Sequence, residues 1–213
     1  MKSNIADIRK DYKLQTLLEN DVNKDPIEQF TNWWHEAAKS DIEELNAMTL
    51  ATCSKDGMPS ARIVLLKDFS HEGFMFFTNY ESQKGKELAI NPNAALVFFW
   101  KELERQIRIV GTVEKVSEQV SVDYFLTRPL ASQIGAWSSA QSEKIESREI
   151  IENNVVRYQT HFKETPMIKP PHWGGYIVKP NHIEFWQGRR SRLHDRIVYN
   201  LENRHWTISR LAP

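Results

Sequence analysis

Arginine and histidine alternate near the C-terminal end of the chain, in the segment RLHDR that begins at Arg192. In an extended strand successive side chains point to opposite faces, so Arg192, His194 and Arg196 would share one face, with Leu193 and Asp195 on the other. Two guanidinium groups and an imidazole in a row offer several hydrogen-bond donors to an anionic or electron-rich ligand. The alternative interpretation is a solvated basic edge, which is the commoner arrangement for so short a cluster.

Phosphate binding is indicated where a predicted strand leads into a helix, at TNYESQKGK. Thr78, Ser82 and Lys84 would surround the free backbone N–H groups of the helix N-terminus, and such groups attract anions. The glycine spacing of a P-loop is absent, so the pattern alone is a weak signal. Lys67 closes the otherwise apolar strand ARIVLLK and therefore also needs solvent or an anion.

A second set of phosphate-binding residue types occurs in DYFLTRPLASQ. Tyr124 and Arg128 lie four residues apart on one helical face, and Ser132 follows the break at Pro129. A phenol, a guanidinium and a hydroxyl suit a phosphate dianion, although an ordinary Tyr–Arg pair on a helix surface is the simpler interpretation. In LERQIRIVG, Gln106 is either a half-exposed strand residue or a contact to an amide-rich heterocycle.

The composition excludes several classes of protein. Lys plus Arg and Asp plus Glu number 28 each in 213 residues, so the chain lacks the overall positive charge that non-specific nucleic-acid binding requires. The longest apolar run, AALVFFW, is too short to span a bilayer, and the N-terminal segment lacks the apolar stretch of an export signal. The single cysteine, Cys53, cannot form an internal disulfide and fits a reducing compartment. We expect a cytoplasmic protein with neither nucleic-acid nor membrane partners.

Metal binding is not indicated by the histidines, because they show no recognised ligand spacing and the lone cysteine supplies no thiolate pair. We therefore expect no metal site. The histidines considered are His161, His172, His182, His194 and His205.

The elements that would position these residues follow from hydrophobic periodicity. A helix begins in DPIEQFTNWWHEAAKS, with Asp25 as N-cap and Pro26 at its first position. From Met48 the period becomes that of strands separated by the turn segments KDGMP, SHEG and NPN. A short helix from Ser82 to Pro92 interrupts these strands, which are MTLATC, ARIVLLK, FMFFTN, AALVFFW and RQIRIVGTVEKV.

Three further helical segments follow, and strands then continue to the C-terminal end. The helices are SEQVSVDYFLTR, ASQIGAW and SREIIENNVVRYQTHF, and the strands are GGYIVKP, HIEFWQG, RLHDRIVY and HWTISRL. This order predicts a mainly β fold with flanking helices (α+β), as a closed or split barrel with helices outside. Residues 1–24 are predicted to form a flexible N-terminal arm, and residues 25–213 a single domain with a helical insert.

The segment IEFWQGRRSRLHDR, residues 183–196, resembles the C-terminal signature of the pyridoxine/pyridoxamine 5′-phosphate oxidase family in residue type and spacing. Further blocks in the same order extend the resemblance over nearly the whole chain. They are RKDY near the N-terminus, RIVLLK, ERQ, YFLTRPLASQIGAW, QS, WGG and the terminal RLAP.

The resemblance implies an FMN-binding split β-barrel that works as a homodimer with FMN at the subunit interface. Members of the family oxidise the B6 vitamers pyridoxine 5′-phosphate or pyridoxamine 5′-phosphate to pyridoxal 5′-phosphate, with O2 as electron acceptor. H2O2 is formed, and ammonia is released from the amine. The implied chemical step is hydride transfer from the substrate 4′ carbon to flavin N5, which makes the chain an oxidoreductase acting on CH-NH2 or CH-OH groups.

The resemblance also implies which residues bind cofactor and substrate. FMN contacts from one subunit would be Arg62, Ile63, Val64, Leu65, Leu66, Lys67, Phe77, Thr78, Gln83, Lys84 and Gln106, and those from the other Gln141, Ser142, Trp186 and Arg196. The substrate phosphate would meet Lys67, Tyr124, Arg128 and Ser132, and the pyridine ring Arg192, Leu193 and His194. Arg9, Lys10, Asp11 and Tyr12 match an N-terminal segment that can cover the substrate.

Three of these residues are candidates for a catalytic role. Arg196 would stabilise the negative charge that hydride transfer leaves on the flavin, and Arg192 would hold the substrate ring against it. His194 would hydrogen-bond substituents of the ring, with general-base catalysis as a weaker alternative. One departure concerns the phosphate-binding S-R-K stretch of the family, where this chain has Gln83 before Lys84; the lost charge implies a looser FMN site. Phe77, where tyrosine is common, removes one hydroxyl.

Other functions are compatible with parts of the sequence. A flavin reductase on the same barrel would explain the FMN residues but would leave YFLTR and Ser132 without a role. A non-catalytic flavin or vitamin B6 carrier would not need both Arg192 and His194. A basic nucleic-acid-binding hairpin at GRRSRLHDR disagrees with the neutral overall charge.

Overall fold

The computed structural model describes residue 5 and residues 11–213, which cluster into two compact units. The first unit contains the described residues up to Thr49, with Ala95–Val110 and Pro180–Pro213, and the second contains Leu50–Ala94 and Gly111–Lys179. The helices are α1 (Pro26–Ala38), α2 (Gln83–Ile90), α3 (Glu118–Thr127), α4 (Leu130–Ser138) and α5 (Glu149–Glu164). The strands are β1 (Ala47–Cys53), β2 (Pro59–Leu65), β3 (Asp68–Ser70), β4 (Gly73–Asn79), β5 (Asn93–Trp100), β6 (Arg105–Lys115), β7 (Trp173–Gln187), β8 (Asp195–Glu202) and β9 (His205–Arg210).

Hydrogen bonding orders the described strands as β2-β1-β5-β6-β7-β4-β3, with β8 on β7 and β9 on β8. The pairs β3–β4, β4–β7, β7–β8 and β8–β9 are antiparallel. This confirms the predicted mainly β chain with flanking helices. Among the described residues, none of the helices has the length and apolar character needed to cross a membrane.

Helix starts follow the capping residues that the sequence offers. The Asp25 carboxylate accepts from the backbone N–H groups of Ile27 and Glu28, which confirms it as the N-cap of α1. Ser82 caps α2 in the same way by accepting from the Gly85 N–H. Each cap satisfies backbone donors that have no partner inside the helix, so the helix begins at a defined residue.

Strand bounds differ most from the sequence expectation at β7 and β8. The segments predicted as two strands form one, β7, which pairs with β4 as far as Val178 and with β8 from His182 onward. Pro180, which lacks an N–H, lies between these two registers, so it does not end the strand. The strand predicted to begin at Arg192 begins instead at Asp195, because Ser191 and Arg192 have φ angles of 58° and 63° and form a tight turn.

In the first unit the core is built on aromatic side chains of α1. Phe30 packs edge-on against Phe98 of β5 with ring centroids 5.4 Å apart, and Trp33 packs against Phe185 of β7 at 5.1 Å. Tyr199 of β8 packs against Phe185 in turn, and its hydroxyl donates to the Asn23 carbonyl at 2.6 Å. Offset and edge-to-face pairs of this kind add to the free energy gained from burial.

In the second unit the hairpin of β3 and β4 and the first half of β7 form the core. Phe74 and Phe76 are fully buried, and Phe76 lies opposite Tyr176 in the β4–β7 register. On the helical side, Trp137 of α4 packs against Tyr158 and Phe162 of α5, at 5.5 and 5.7 Å between ring centroids. Tyr158 and Phe162 lie four residues apart and therefore share one face of α5.

Arg105 is a guanidinium buried inside the first unit. It stacks 4.2 Å above the Trp33 ring, its Nε donates to Gln187 at 2.9 Å, and its Nη1 pairs with Glu36 at 2.6 Å. Only 4 % of its side chain is exposed. Burial lowers the pKa of Arg105 from its ordinary value, and the ion pair with Glu36 offsets only part of this effect.

We predict that Arg105→Met lowers the free energy of unfolding by roughly 2 kcal/mol, because the buried Gln187 amide loses its donor and Trp33 loses its cation. Urea unfolding followed by tryptophan fluorescence measures the effect. The control is Lys179→Met, which removes an exposed ion pair with Glu114 and should cost less than about 0.5 kcal/mol. Equal stabilities of the two variants would contradict a structural role for Arg105.

Candidate functional site

A pocket of about 640 Å³ lies in the second unit, within the size range of small-molecule and cofactor sites. It is lined by residues of β2 and β4, the start of α2, and the corner between α3 and α4. The predicted residues that line it are Arg62, Ile63, Val64, Leu65, Lys67, Phe77, Thr78, Lys84, Tyr124, Arg128, Ser132 and Gln141.

Three predicted residues of the second unit do not line this pocket. Leu66 is buried in the core. Gln83 and Ser142 line a neighbouring cavity of about 590 Å³, and the Gln83 amide donates to Glu87 at 2.9 Å. Position 83 therefore contributes neither a charge nor a lining side chain to the larger pocket.

At one side of the pocket, Arg62 is held by a network of hydroxyl groups and a carboxylate. Its guanidinium donates to the Leu50 carbonyl at 3.3 Å, to the Ser60 hydroxyl at 2.6 Å and to the Thr52 hydroxyl. Glu87 accepts from both hydroxyls and lies 3.5 Å from Arg62 Nη2. Arg62 thus has one fixed orientation at the pocket wall.

Glu87 is ionised despite its burial. Burial alone would raise the pKa of this carboxyl, but hydrogen bonds from Thr52, Ser60 and Gln83 and the charge of Arg62 outweigh that effect and lower the pKa from 4.5 to about 2. Glu87 was not among the predicted site residues. Its position on α2, four residues after Gln83, was the available signal, since residues at this spacing share a helical face.

Lys84 lies beside the same wall, with its Nζ 3.0 Å from Gln141 Oε1 and 3.3 Å from the hydroxyls of Thr78 and Ser82. Burial and the nearby charge of Arg62 lower the pKa of Lys84, although Glu87 acts in the opposite direction. The resemblance assigns Gln141 to the second subunit, whereas here it contacts Lys84 of its own chain. Two cations that repel each other in a partly buried wall favour an anionic ligand.

A second cationic group lies at the α3–α4 corner. The Arg128 guanidinium lies 4.8 Å from the Trp173 ring centroid, and its buried Nη1 has no hydrogen-bond partner within the described part of the chain. Burial lowers the pKa of Arg128, and Tyr124 opposes the change. The Gln133 amide fixes this corner by donating to the carbonyls of Leu126 and Arg128, at 3.1 and 2.7 Å.

Aromatic rings form the floor between these groups. Phe77 stacks on Tyr124 with centroids 4.0 Å apart and on Trp173 at 5.4 Å. Lys67 Nζ lies 6.0 Å from the centroid of the Tyr124 ring. A buried polar donor normally has a partner, so the donor of Arg128 beside Tyr124, Lys67 and Ser132 is the arrangement expected for a site that takes an anion.

The first unit holds a separate group of predicted residues. The rings of Tyr12, Trp186 and His194 meet, with centroids 5.8 Å apart for Tyr12–Trp186 and 4.5 Å apart for Trp186–His194. Gly188 permits this, because a Cβ there would lie 2.7 Å from Cγ of Tyr12. Arg9 and Lys10 lie outside the described residues, and Asp11 is exposed.

His194 accepts a hydrogen bond from the Arg189 backbone N–H at its Nδ1, at 3.1 Å. Burial lowers the pKa of His194, as does the charge of Arg192, while Asp195 acts in the opposite direction. The imidazole is therefore neutral at neutral pH and carries its proton on Nε2, where it can donate to a ligand.

The expectation that Arg192, His194 and Arg196 share one strand face is wrong, because only Arg196 lies within β8. Arg192 lies in the preceding turn with positive φ. Leu193 follows it and is 68 % exposed. Asp195 accepts hydrogen bonds from Arg189 and Arg210, at 2.7 and 2.8 Å, so it fixes both guanidinium groups at the start of β8.

Arg196 is paired with Glu184, a second carboxylate that was not among the predicted site residues. Arg196 Nε lies 2.7 Å from Glu184 Oε1, and Arg108 Nη1 lies 2.9 Å from Oε2. Gln106 lies in β6 and is half-buried. Among the residues that the structure describes, no cluster of three or more His, Cys, Asp or Glu side chains could hold a metal ion.

Comparisons with known proteins agree over nearly the whole chain. Residues 34–162 match the family model described as pyridoxamine 5′-phosphate oxidase, and residues 173–213 match that of the pyridoxine 5′-phosphate oxidase C-terminal dimerisation region. The pyridoxine/pyridoxamine 5′-phosphate oxidase of Nostoc punctiforme is 56 % identical over 214 residues, with 100 % of both chains covered. That of Cupriavidus necator is 54 % identical over 210 residues, with 98 % of this chain and 99 % of that protein covered.

Solved structures show the same fold. PhzG from Burkholderia lata 383, in complex with tetrahydrophenazine-1-carboxylic acid, superposes with a TM-score of 0.89 at 25 % identity and covers 96 % of this chain and 100 % of its own. A pyridoxamine 5′-phosphate oxidase-related, FMN-binding protein from Nostoc punctiforme has a TM-score of 0.71 at 15 % identity, with 90 % and 100 % covered. These likenesses confirm the predicted split-barrel fold class.

We predict that Glu87→Gln lowers the free energy of unfolding at neutral pH by roughly 1.5 to 3 kcal/mol, because buried Thr52 and two less buried donors, Ser60 and Gln83, lose an ionised acceptor. The pKa of Glu87 is lower in the folded chain, so its contribution is present above 4.5 and is lost as the pH falls towards about 2. Urea unfolding at neutral pH and at a pH between these values should therefore show a smaller pH dependence for the variant. Glu143→Gln, at an exposed partner of Lys86, is the matched control with little expected change; an equal loss there would refute the prediction.

Proposed function

The chain belongs to the pyridoxamine 5′-phosphate oxidase family, and on that premise we propose that it uses FMN to oxidise pyridoxine 5′-phosphate or pyridoxamine 5′-phosphate to pyridoxal 5′-phosphate. The substrate loses two electrons and two protons, as one hydrogen from the 4′ carbon and one from its hydroxyl or amino group. O2 takes them up as H2O2, and with the amine substrate water replaces nitrogen, which leaves as ammonia. When bound, FMN supplies the two-electron acceptor for this exchange and passes the electrons to O2.

The observation that carries the proposal is the presence of two cationic groups in one pocket of the second unit. Arg62 and Lys84 form one group, and Arg128 with Lys67 forms the other. FMN and the substrate each carry one phosphate, so both groups would have a dianion to bind. The buried Nη1 of Arg128, which has no partner in the described chain, supports this assignment most directly.

We assign the first group to the phosphate of FMN. Arg62 is already oriented by Thr52, Ser60 and Glu87, and Lys84 is held by Thr78 and Gln141. Ordered donors lose little conformational freedom when a ligand binds, so they favour affinity. An anion between Arg62 and Lys84 would also remove their mutual repulsion.

We assign the second group to the phosphate of the substrate. Arg128, Lys67, Tyr124 and Ser132 would bind this phosphate, which is remote from the carbon that reacts. Binding energy gained there orients the 4′ carbon without changing its chemistry. The stacked rings of Phe77 and Tyr124 keep the walls rigid and apolar between the two phosphate positions.

The predicted residues of the first unit would bind the pyridine ring of the substrate and contact FMN. A neutral His194 with its proton on Nε2 would donate to a substituent of the pyridine ring, and Arg192 would hold that ring in place. Trp186 and Arg196 would contact FMN. We propose that these residues come from the second subunit of a homodimer, which the match of residues 173–213 to a dimerisation region supports.

We predict that the FMN-loaded protein loses its visible flavin absorbance when pyridoxine 5′-phosphate is added anaerobically, and regains it with H2O2 formation when air is admitted. Substrate oxidation reduces the flavin, and O2 reverses the change. The measurement is one absorbance trace followed by a peroxide assay. Pyridoxamine 5′-phosphate should give the same trace and also release ammonia.

The same absorbance experiment tests the role of Arg128 in binding the substrate phosphate. Arg128→Met should retain FMN but require a substrate concentration at least about tenfold higher for the same bleaching rate, since one charge-assisted contact to phosphate is lost. An unchanged spectrum with demonstrably bound vitamer would refute the oxidase and leave a carrier. Bleaching by a nicotinamide donor alone would instead identify a flavin reductase.

We further predict that Gln83→Arg tightens FMN binding. The chain has no charge at position 83, and a guanidinium on the first turn of α2 would add one beside Lys84. Fluorescence titration of FMN-free protein measures the dissociation constant, with Lys86→Gln, at an exposed position of the same helix, as the control for altered net charge. If wild type and Gln83→Arg bind FMN equally tightly, the prediction of a looser site is disproved.

A further inference from the structure

Glu184 is a buried carboxylate without a role in the proposed reaction. Its side chain is 1 % exposed, and it lies in β7 two residues before Trp186. It is the one acidic residue in the sequence of that strand. An ionised carboxylate is costly to bury unless cations and donors surround it, so its function must lie in the groups that it pairs with.

Both oxygens of Glu184 face guanidinium groups. Arg196 pairs side-on, with Nε 2.7 Å from Oε1 and Nη2 3.1 Å from Oε2. Arg108 Nη1 lies 2.9 Å from Oε2. The pairing with Arg196 is bidentate and fixes the plane of that guanidinium, whereas the single contact to Arg108, whose side chain is 45 % exposed, does not.

Arg196 is held on a further side by the C-terminal segment. Its Nη1 donates to the Ala212 carbonyl at 3.0 Å, and its own carbonyl accepts from the Leu211 N–H at 3.0 Å. A guanidinium carries five N–H donors, of which these contacts use three. One hydrogen on Nη1 and one on Nη2 are left without a partner among residues 11–213, and a quarter of the side chain is exposed.

We propose that Glu184 is a positioning residue: it holds Arg196 so that the two unused donors of the guanidinium present one fixed orientation to bound FMN. This inference rests on the proposed function, in which Arg196 contacts FMN. An arginine side chain that is free in solution loses rotational freedom when a ligand orders it. Glu184 orders it before the ligand arrives, which favours affinity.

If Glu184 had a purely structural or purely electrostatic role, different results would be expected. If Glu184 only ties β6 to β7 through Arg108, loss of Arg108 should be as harmful as loss of Glu184. If its charge alone matters, a shorter carboxylate should replace it, and removal of the charge should strengthen binding of the anionic cofactor. Positioning requires both the charge and the reach of glutamate.

The test is fluorescence titration of FMN into FMN-free protein for wild type, Glu184→Gln, Glu184→Asp and Arg108→Met. Glu184→Gln and Glu184→Asp should each raise the dissociation constant about tenfold, because one loses the charge and the other cannot reach two guanidinium nitrogens. Arg108→Met should stay within about twofold of wild type, since Arg196 keeps its partner. Thermal unfolding of the FMN-free variants checks that each is folded.

A double-mutant cycle with Arg196→Met separates positioning from general damage. Glu184→Gln should have no further effect on FMN binding once Arg196 is absent, because Glu184 acts through it. An undiminished effect in that background, an Arg108→Met loss equal to that of Glu184→Gln, or wild-type affinity in Glu184→Asp would each overturn the inference. If Glu184→Gln does not fold, Glu184→Asp, alone and combined with Arg196→Met, gives the decisive comparison.

The FMN affinity of wild type separates a failure of the proposed function from a failure of the positioning role of Glu184. If the wild-type protein fails to bind FMN, the proposed function is overturned, and Glu184 can have no role in positioning Arg196 for that cofactor. If wild type binds FMN and the Glu184 variants bind it equally well, the proposed function stands and the role of Glu184 alone is refuted.

Discussion

Repulsion between positive charges is the constraint on which the structure of the pocket depends. Burial disfavours the charge of Lys84, and the nearby charge of Arg62 adds to this cost. A fold can tolerate such a wall only if other groups hold the cations in place until an anion arrives. In the second unit that task falls to Glu87 and its hydroxyl neighbours, which are polar groups brought together from β1, β2 and α2.

The positive charges of the pocket wall are only partly neutralised by neighbouring groups. Glu87 lies 3.5 Å from Arg62 Nη2, a loose ion pair, and it is saturated mainly by hydroxyl and amide donors. Its negative charge therefore lowers the cost of burying Arg62 without occupying the guanidinium as a bidentate partner would. Arg128 has even less compensation, because its guanidinium lies against the Trp173 ring and its Nη1 has no hydrogen-bond partner in the described part of the chain. Such a wall gains most from a ligand that carries two negative charges.

Sequence patterns predicted the elements that depend on local chemistry, such as α1 from its Asp25 cap and α2 from Ser82, and the resemblance predicted most of the residues that line the pocket. Two features resisted prediction. The turn at Ser191 and Arg192 contains non-glycine residues with positive φ, which no alternation of side chains reveals. The carboxylates Glu87 and Glu184 act across strands and helices, on partners 35 residues from Glu87 and 76 from Glu184, so their roles depend on tertiary contacts that periodicity does not encode.

The two buried carboxylates also set different electrostatic conditions for their arginines. Arg196 is neutralised at close range by Glu184, and only the addition of Arg108 gives their cluster a net positive charge. A negative charge that develops beside Arg196 would therefore meet a cluster with a net charge of about +1 spread over two guanidiniums, rather than an isolated cation. Its stabilisation would come chiefly from two correctly aimed N–H donors, which cost no reorganisation because they are fixed in advance. For this stabilisation the orientation of the Arg196 N–H donors contributes more than the net charge of the cluster. Glu184 supplies that orientation.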